Sequence, residues 1–300
     1  MAILLDEETR MLVQGITGRE GKARASFMTR YGTNVVAGVT PGRGGSEVGH
    51  VPVYDSVKEA WSHHGPFDAT VTFVPGPVVK DAVFEAIDAG IKLVVMPVER
   101  VPLHDILQMI AYARVRNAKI LGPGSFGIIS PGRAVAGWIG GSEEFAREVF
   151  RPGHVGLISR SGGQTTTLAW AIGQLGLGIS TALHIGSEPV VGISPAELLP
   201  LFEEDKETRA VAMFGEIGTV AEDEAAEIIK EGKFSKPVVA YIAGVGVRAG
   251  MRFSHASAIV ERGRGSAESK IQALRDAGAH VVDSPDELAP VLVRLLGTSG

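Results

Sequence analysis

The sequence predicts an α/β protein made of two doubly wound units, each built on a parallel sheet. Short apolar runs alternate with amphipathic stretches along most of the chain, and glycine-rich turns follow several of these runs. The alternation stops between residues 124 and 153, where glycine and proline are frequent, and it starts again at residue 154. Alternating strands and helices favour parallel sheets with crossover helices, and the interruption predicts a loop-rich bridge between two domains.

The first half contains five predicted strands and four predicted helices. The strands are MLV at 11–13, NVVAGV at 34–39, ATVTFV at 69–74, IKLVVM at 91–96 and AKILG at 118–122. Helical patterns cover residues 24–31, 56–64, 79–89 and 103–116. Gly90 follows the third of these helices, which is a common stop signal.

The second half continues the alternation. Strands are predicted at HVGLIS (154–159), GISTAL (178–183), AVAMF (210–214), PVVAYIAG (237–244) and AHVVD (279–283). The domain boundaries that follow from the interruption are 1–125 and 126–300.

Composition excludes several classes of function. The 300 residues contain no cysteine, which excludes disulfides, thiolate metal sites and a cysteine nucleophile. A net charge of -5 and 6% aromatic residues make nucleic acid an unexpected partner. The first ten residues, MAILLDEETR, carry acids where a signal peptide needs basic residues, and the apolar runs are too short to cross a membrane. A cytoplasmic protein is expected.

Three glycines in the segment QGITGREGKAR, at positions 15, 18 and 21, follow the first predicted strand. Their spacing matches neither the dinucleotide fingerprint nor the P-loop pattern. The N-terminus of a helix after a strand presents unpaired N–H groups to anions, so a phosphate site is expected here. A tight turn that binds nothing is the alternative interpretation.

Arg43 indicates which phosphate this turn could hold. No acid follows the second strand to bind a ribose hydroxyl, as a nicotinamide cofactor would require, and Arg43 stands there among glycines. A basic residue suits a ribose with an additional phosphate, which leaves NADP and coenzyme A (CoA). The proline-glycine loop VPGP at 74–77 suggests a long ligand that crosses several strand ends. A solvated surface charge is the alternative for Arg43.

The second half supplies reactive side chains. The segment SRSGGQ (159–164) lies between a strand and a helix and could form a second anion site, or Ser161 could only cap the helix. Glu216 directly follows a strand, at the edge where ligands bind in such sheets. His255 has no cysteine or second histidine at ligand spacing, so no metal site is expected and a structural role is the alternative.

Six segments in this order resemble the α subunit of succinyl-CoA synthetase and related NDP-forming acyl-CoA ligases. They are VTPGRGG, AIDAGIKLVV, SRSGG, GEIG, KPVVAYIAG and HASAI, and the resemblance extends from about residue 3 to residue 297. It implies a Rossmann-like CoA-binding domain followed by a flavodoxin-like ligase domain. It also implies an ATP-grasp β subunit that binds ATP or GTP with Mg²⁺, and a di- or tricarboxylic acid substrate.

The resemblance assigns site residues by position. His255 corresponds to the histidine that is transiently phosphorylated, and Glu216 to the carboxylate that orients it. The phosphoryl group would be bound by Ser161, Gly162 and Gly163. The CoA contacts implied are Thr17, Gly18, Arg19, Gly21, Val39, Pro41, Arg43, Val74, Pro75, Pro97 and Glu99.

Three loops depart from the family pattern. The pattern G-P-N-C-x-G is GPGSFG at 122–127, S-R-S-G-T-L-T-Y-E is SRSGGQTTTLA at 159–169, and G-G-D-P is GSEP at 186–189. The stretches FRPGHVGLISRSGG (150–163) and KEGKFSKP (230–237) are closer to the citrate-cleaving and citryl-CoA-forming branch of the family. The leading hypothesis is a subunit of a succinate–CoA ligase-like enzyme, with a citrate or malate ligase subunit as its variant. A non-catalytic CoA-binding protein and an NADP-dependent dehydrogenase are the competing hypotheses.

Overall fold

The computed structural model describes residues 2–245 and 265–297, which form two seven-stranded sheets with helices. The strands of the first sheet are β1 (Met11–Gln14), β2 (Val35–Val39), β3 (Glu47–Val48), β4 (Val51–Tyr54), β5 (Ala69–Thr72), β6 (Leu93–Val95) and β7 (Lys119–Leu121). Its helices are α1 (Arg19–Tyr31), α2 (Val57–His64), α3 (Val79–Asp88) and α4 (Leu103–Val115).

The second sheet begins soon after the first ends. Its strands are β8 (Gly127–Ser130), β9 (Ala134–Gly137), β10 (Pro152–Ser159), β11 (Ile179–His184), β12 (Ala210–Glu216), β13 (Val238–Ala243) and β14 (His280–Val281). The helices of this half are α5 (Glu143–Val149), α6 (Gly162–Gln174), α7 (Pro195–Glu204), α8 (Ala221–Lys230), α9 (Ala267–Asp276) and α10 (Leu288–Leu296).

Both sheets are mostly parallel, as predicted, and each reverses its strand order once. The first has the order β3-β4-β2-β1-β5-β6-β7, so the chain builds outward from β1 on one side and returns to add β5 on the other. The second has the order β14-β13-β12-β10-β11-β8-β9, with its reversal between β10 and β12. Such reversals open a crevice beyond the carboxyl ends of the two central strands, where ligands bind.

The central strands are buried on both faces, as expected for parallel sheets covered by helices. Every residue of β1 and of β5 is buried, and in β10 burial is continuous from Val155 to Ser159. Among the described residues, no helix has the length and apolarity that crossing a membrane requires.

The structure differs from the sequence prediction at two places. Residues 124–153 are not a loop-rich bridge, because β8 and β9 form an antiparallel hairpin in which β8 also pairs with β11. These strands have four residues each and lie among glycines, so they lack a readable period. Helix α1 begins at Arg19 and not at residue 24, because Gly18 and Gly21, both taken as turn residues, are its N-cap and part of its first turn.

Candidate functional site

The glycines after β1 allow three backbone segments to approach closely. Gly15 has φ +76°, and a Cβ atom on it would lie 2.2 Å from the carbonyl oxygen of Phe73, at the end of β5. A Cβ atom on Gly21 would lie 2.2 Å from the carbonyl oxygen of Gly15. Neither position tolerates a side chain. The glycines therefore bring the N-terminus of α1 up to the crevice between β1 and β5.

A cavity of about 560 Å³ opens at this crevice. Its wall includes Asp81 and Glu85 of α3, two carboxylates that the sequence analysis did not single out. The N-terminus of α1 favours phosphate, whereas carboxylates favour hydroxyl and amino groups. Six of the residues expected to contact CoA line the cavity: Thr17, Gly18, Val39, Pro41, Val74 and Pro75.

Arg43 lies beyond the cavity lining, in the loop between β2 and β3. The loop is fixed through its backbone, since Oδ1 of Asp55 accepts hydrogen bonds from the N–H groups of Arg43 (2.9 Å) and Gly44 (2.7 Å). The Arg43 side chain is exposed to solvent. Arg19, in the first turn of α1, is 95% exposed. Both cations are therefore open to a charged ligand at the rim.

Pro97 and Glu99 follow β6 and face a different neighbour. Pro97 is buried, and Glu99 is exposed. A Cβ atom on Gly124 would lie 3.5 Å from Cγ of Glu99, and the N–H of Arg100 donates to Oε1 of Glu188 at 2.7 Å. This loop therefore contacts the altered loops of the second half, and neither Pro97 nor Glu99 is among the residues that line the cavity.

The turn after β10 positions a second helix N-terminus. Ser161 is the N-cap of α6, and its hydroxyl accepts the N–H of Gln164 at 3.4 Å. A Cβ atom on Gly162 would lie 2.7 Å from the ring of Phe126, so this position is closed by packing. Around Gly163, apart from its chain neighbours and the backbone of α6, no atom of the described residues lies within 4 Å of such a Cβ. The open side of the turn is therefore at Gly163.

Glu216 ends β12, on the other side of the second switch point, and is 8% exposed. Its Oε1 lies 3.5 Å from Nε of Arg160, the residue that follows β10 and is 1% exposed. The N–H of Arg160 donates to the carbonyl oxygen of Phe214 at 3.0 Å. The fold thus brings a predicted carboxylate next to a buried guanidinium that the sequence analysis quoted within SRSGGQ but assigned no role.

The guanidinium of Arg160 is only partly satisfied. Nη2 donates to the carbonyl oxygen of Glu188 at 3.2 Å, but among the described residues Nε and Nη1 have no hydrogen-bond acceptor. A buried donor without an acceptor is costly, so an anionic group bound beside Arg160 would be stabilised. A lone arginine immediately after a buried strand was the available signal in the sequence.

The three loops that depart from the family pattern meet around Arg160. Nδ1 of His184 accepts the N–H of Phe126 at 2.9 Å, so its Nε2 carries the proton and donates to the carbonyl oxygen of Arg160 at 3.0 Å. A Cβ atom on Gly124 would lie 2.4 Å from the hydroxyl of Ser187. His184 was missed by the sequence analysis. It connects the 122–127 loop to the turn after β10.

His255 lies outside the described residues. Within residues 2–245 and 265–297, no group of three potential ligands from His, Cys, Asp and Glu is arranged to hold a metal ion. The second candidate site therefore consists, in the described part of the chain, of Glu216, Arg160, the N-terminus of α6 and the three surrounding loops.

Two family domains match this chain. Residues 6–99 match the CoA binding domain, and residues 152–295 match the succinyl-CoA ligase like flavodoxin domain. The first match contains the glycine turn and the Arg43 loop. The second contains the turn after β10, Glu216 and His255.

Several curated proteins are similar over nearly their whole length. Subunit alpha 2 of an ADP-forming succinate–CoA ligase from Archaeoglobus fulgidus is 49% identical, over 99% of this chain and 100% of that protein. The alpha subunit of the corresponding ligase from Aquifex aeolicus is 44% identical, over 99% and 95%. A subunit of an ADP-forming sulfoacetate–CoA ligase from Acholeplasma sp. is 42% identical, over 98% of each chain.

Among solved structures, the ATP citrate lyase of Methanothrix soehngenii, in complex with citrate and CoA, superposes with a TM-score of 0.89 at 25% identity. The match covers 98% of this chain and 50% of that one, so this chain spans about half of the lyase. The order of the two domains, the identity to the curated subunits and the coverage all agree. The chain belongs to the succinate–CoA ligase α-subunit family of acid–thiol ligases.

Proposed function

We propose that this chain, as the α subunit of an NDP-forming carboxylate–CoA ligase, transfers a phosphoryl group through His255 to a di- or tricarboxylic acid and binds the CoA that receives the acyl group. One observation carries the proposal. Glu216 lies at the carboxyl end of β12 beside Arg160 and next to the N-terminus of α6, at the switch point of the second sheet. A basic group and a helix N-terminus both favour an anion there.

In this proposal CoA binds at the first switch point. The cavity of about 560 Å³ is of the size used for nucleotide-like ligands, and it is bordered by the N-terminus of α1. Thr17, Gly18, Arg19 and Gly21 form the phosphate turn of the proposed site. Val39, Pro41 and Arg43 hold the adenosine end, with the 3′-phosphate at Arg43. The part of the ligand that extends towards the second half would contact Val74, Pro75, Pro97 and Glu99.

The proposed chemistry has three steps. A ring nitrogen of His255 attacks the γ-phosphorus of the nucleoside triphosphate, and the diphosphate leaves. A carboxylate oxygen of the acid then attacks the phosphohistidine, which gives an acyl phosphate and free histidine. The sulfur of CoA attacks the acyl carbon, phosphate departs, and the thiol proton is lost. Neutral imidazole is a competent nucleophile near neutral pH, and Glu216 orients the ring by accepting its other N–H.

Ser161, Gly162 and Gly163 bind the phosphoryl group in this proposal. The N–H groups at the start of α6 supply hydrogen bonds, and the open space at Gly163 admits the ligand. Arg160 would bind an anionic group of the acid through Nη1, which lacks an acceptor among the described residues, while its Nε faces Glu216. Arg160 adds to the residues assigned by the resemblance.

The proposed identity of the acid rests on the three altered loops, which surround Arg160. We propose that succinate is a weak substrate or none, and that citrate, malate or another small polyanion is preferred. The curated relatives include a sulfoacetate–CoA ligase subunit, so related chains accept more than one acid. Steady-state rates with succinate, citrate, malate and sulfoacetate would decide. A clear preference for succinate would contradict this part of the proposal.

The nucleotide belongs to a partner in this proposal. The sequence has no P-loop, and the expected partner is an ATP-grasp β subunit that binds ATP or GTP with Mg²⁺. The purified chain should therefore bind CoA alone but form acyl-CoA only with that subunit. Turnover by the isolated chain would contradict the two-subunit arrangement.

Labelling tests the central step. The complex with the partner subunit, incubated with γ-labelled nucleotide, should give an acid-labile and base-stable label on this chain. CoA together with the acid should discharge it, and His255→Ala should abolish it while CoA binding is kept. Label that persists in His255→Ala would reject His255. No label on the wild type, with CoA still bound, would favour a non-catalytic CoA-binding protein. No described contact favours the NADP-dependent dehydrogenase.

A further inference from the structure

A buried ion pair lies directly behind Glu216. Lys270, in the first turn of α9, pairs with Oε2 of Glu222, in the first turn of α8. Both residues are 0% exposed. They approach Glu216 from two helices that pack against each other.

The pair holds both backbone polar groups of Glu216. Nζ of Lys270 donates to the carbonyl oxygen of Glu216 at 2.8 Å, and the N–H of Glu216 donates to Oε1 of Glu222 at 3.2 Å. The third donor position of Lys270 is directed to Oγ1 of Thr219 at 3.4 Å. All three ammonium hydrogens and both carboxylate oxygens are thus used in fixing the turn that follows β12.

The local sequence is shaped to admit this pair. A Cβ atom on Gly215 would lie 2.6 Å from Oε1 of Glu222, so only glycine fits before Glu216. The same turn is tied to the start of α9, since the N–H of Gly218 donates to the carbonyl oxygen of Gly265 at 2.9 Å. The turn after Glu216 is therefore connected to both helices that supply the pair.

Stability alone does not explain a buried ion pair. Replacing such a pair with apolar residues of similar size is often neutral or stabilising, because desolvation offsets the attraction between the charges. Here the pair has a second consequence. It fixes the position and direction of the residue whose carboxylate must lie beside Arg160.

We propose that Lys270 and Glu222 are positioning residues, which hold the backbone of Glu216 so that its carboxylate lies at the second switch point. The consequence for catalysis rests on the role of Glu216 in the proposed function. The consequence for geometry does not, and the two are measured separately.

The test uses the full chain in complex with its partner subunit. Lys270→Met combined with Glu222→Leu removes the pair, and Arg133→Met combined with Glu207→Leu is the control. Nη2 of Arg133 lies 2.6 Å from Oε1 of Glu207, which precedes the opposite end of β12. Crystal structures of both double variants give the distance from Glu216 Oε1 to Arg160 Nε, which is 3.5 Å in the wild type.

We expect the Lys270/Glu222 variant to displace the Glu216 carboxylate by about 1 Å or more, which would slow phosphorylation of this chain by roughly ten- to a hundredfold. CoA affinity and the KM for the acid should stay near wild type, and the control should change none of these. Adding Glu216→Gln to the Lys270/Glu222 variant should cause little further loss, because both changes act through one carboxylate.

The outcomes distinguish failure of the positioning role from failure of the role of Glu216 in the proposed function. An unmoved Glu216 carboxylate overturns the positioning role. A displaced carboxylate with an undiminished rate of labelling confirms the positioning role and rejects the role of Glu216 in the proposed function. If the apolar variant does not fold, Lys270→Gln with Glu222→Gln takes its place. Its neutral amides keep hydrogen bonds without charge, and it should give a smaller displacement and a smaller loss of rate.

Discussion

The two switch points are built by different physical means. In the first, the turn formed by Gly15, Gly18 and the N-terminus of α1 consists of backbone. Its cations, Arg19 and Arg43, lie at the rim, and the charged groups in the cavity wall are the carboxylates Asp81 and Glu85. The second is built from buried charge. Arg160 lies beside Glu216 and Lys270 lies behind it, and the exposed fractions of Arg160, Lys270 and Glu216 are 1%, 0% and 8%. Similar sheet topologies therefore support a site that depends on glycine and one that depends on ion pairs.

The proposed roles of the two sites account for this difference. A bound phosphate needs only N–H groups that the helix leaves unpaired, and these cost nothing additional to bury. In the proposed function the carboxylate of Glu216 must keep its direction beside a reacting group, so it needs fixed partners, which here are Arg160 and the buried Lys270–Glu222 pair. The first site should therefore be sensitive to added volume, and the second to lost charge.

The largest effect is expected at Gly15, where alanine should destabilise the protein by roughly 2–5 kcal/mol. An alanine at φ +76° is strained, and its Cβ would also lie 2.2 Å from the Phe73 carbonyl oxygen. Gly42 has φ +75°, and apart from its chain neighbours no atom of the described residues lies within 4 Å of such a Cβ, so Gly42→Ala carries only the strain, about 1–2 kcal/mol. Denaturant unfolding measures both. Equal losses would show that close approach is not what selects glycine at position 15.

At the second site, Glu216→Gln should slow phosphorylation by on the order of a hundredfold, the size typical of a lost acid–base partner. Glutamine keeps the shape and the backbone contacts with Lys270 and Glu222, so the loss isolates the charge. CoA affinity should not change, because the first switch point is untouched. Rapid-quench labelling of the complex gives the rate. A rate within twofold of wild type would show that the second site does not depend on the charge of Glu216.

The backbone-built site was the easier of the two to predict from sequence. Glycine spacing after a strand is a local signal that predicts a phosphate turn, whereas the CoA contacts, six of which line the cavity, were implied by the family resemblance. Even there, the entry of Gly21 into α1 was missed, because its contact with Gly15 depends on how the helix packs on the turn.

The charged site was predicted only in part. Glu216 follows a recognisable strand, but its neighbour Arg160 is 56 residues away along the chain and Lys270 is 54 away. Nothing local distinguishes a buried lysine on an amphipathic helix from an exposed one. The β8–β9 hairpin was missed for the same reason, because its pairing with β11 is a contact between segments that are distant in sequence. This hairpin carries the 122–127 loop towards His184.

At the rim of the first site, the charge of Arg43 should matter only for the 3′-phosphate of CoA. Arg43→Ala should weaken CoA by roughly ten- to a hundredfold, since a hydrogen bond to a charged group contributes about 1.5–3 kcal/mol. Dephospho-CoA lacks the 3′-phosphate and should lose little. The loop should persist, because Asp55 holds it through backbone N–H groups. Calorimetry with both ligands decides, and equal losses would reject the assignment of Arg43.

The smallest effect is expected at Asp223, beside the Lys270–Glu222 pair. Burial raises the pKa of Asp223, an effect that Lys270 opposes and Glu222 reinforces, and Oδ2 has no hydrogen-bond partner among the described residues. A carboxyl whose pKa is higher in the folded state loses stability as pH rises through the interval between its ordinary and its folded pKa, because the folded state binds the proton more tightly. The Asp223→Asn variant should therefore be as stable as wild type at pH values below that interval and more stable than wild type above it.

The gain should be a fraction of a kcal/mol, because the N-terminus of α8 itself favours a negative charge. Glu144→Gln, an exposed acid in the first turn of α5, is the matched control and should lower stability slightly at neutral pH. Urea unfolding of wild type and both variants, at mildly acidic and at neutral pH, measures the difference. If Asp223→Asn also lowers stability at neutral pH, the charge at Asp223 is stabilising. The second site would then carry three favourable charges behind Glu216 and Arg160, and not one balanced pair with an excess acid.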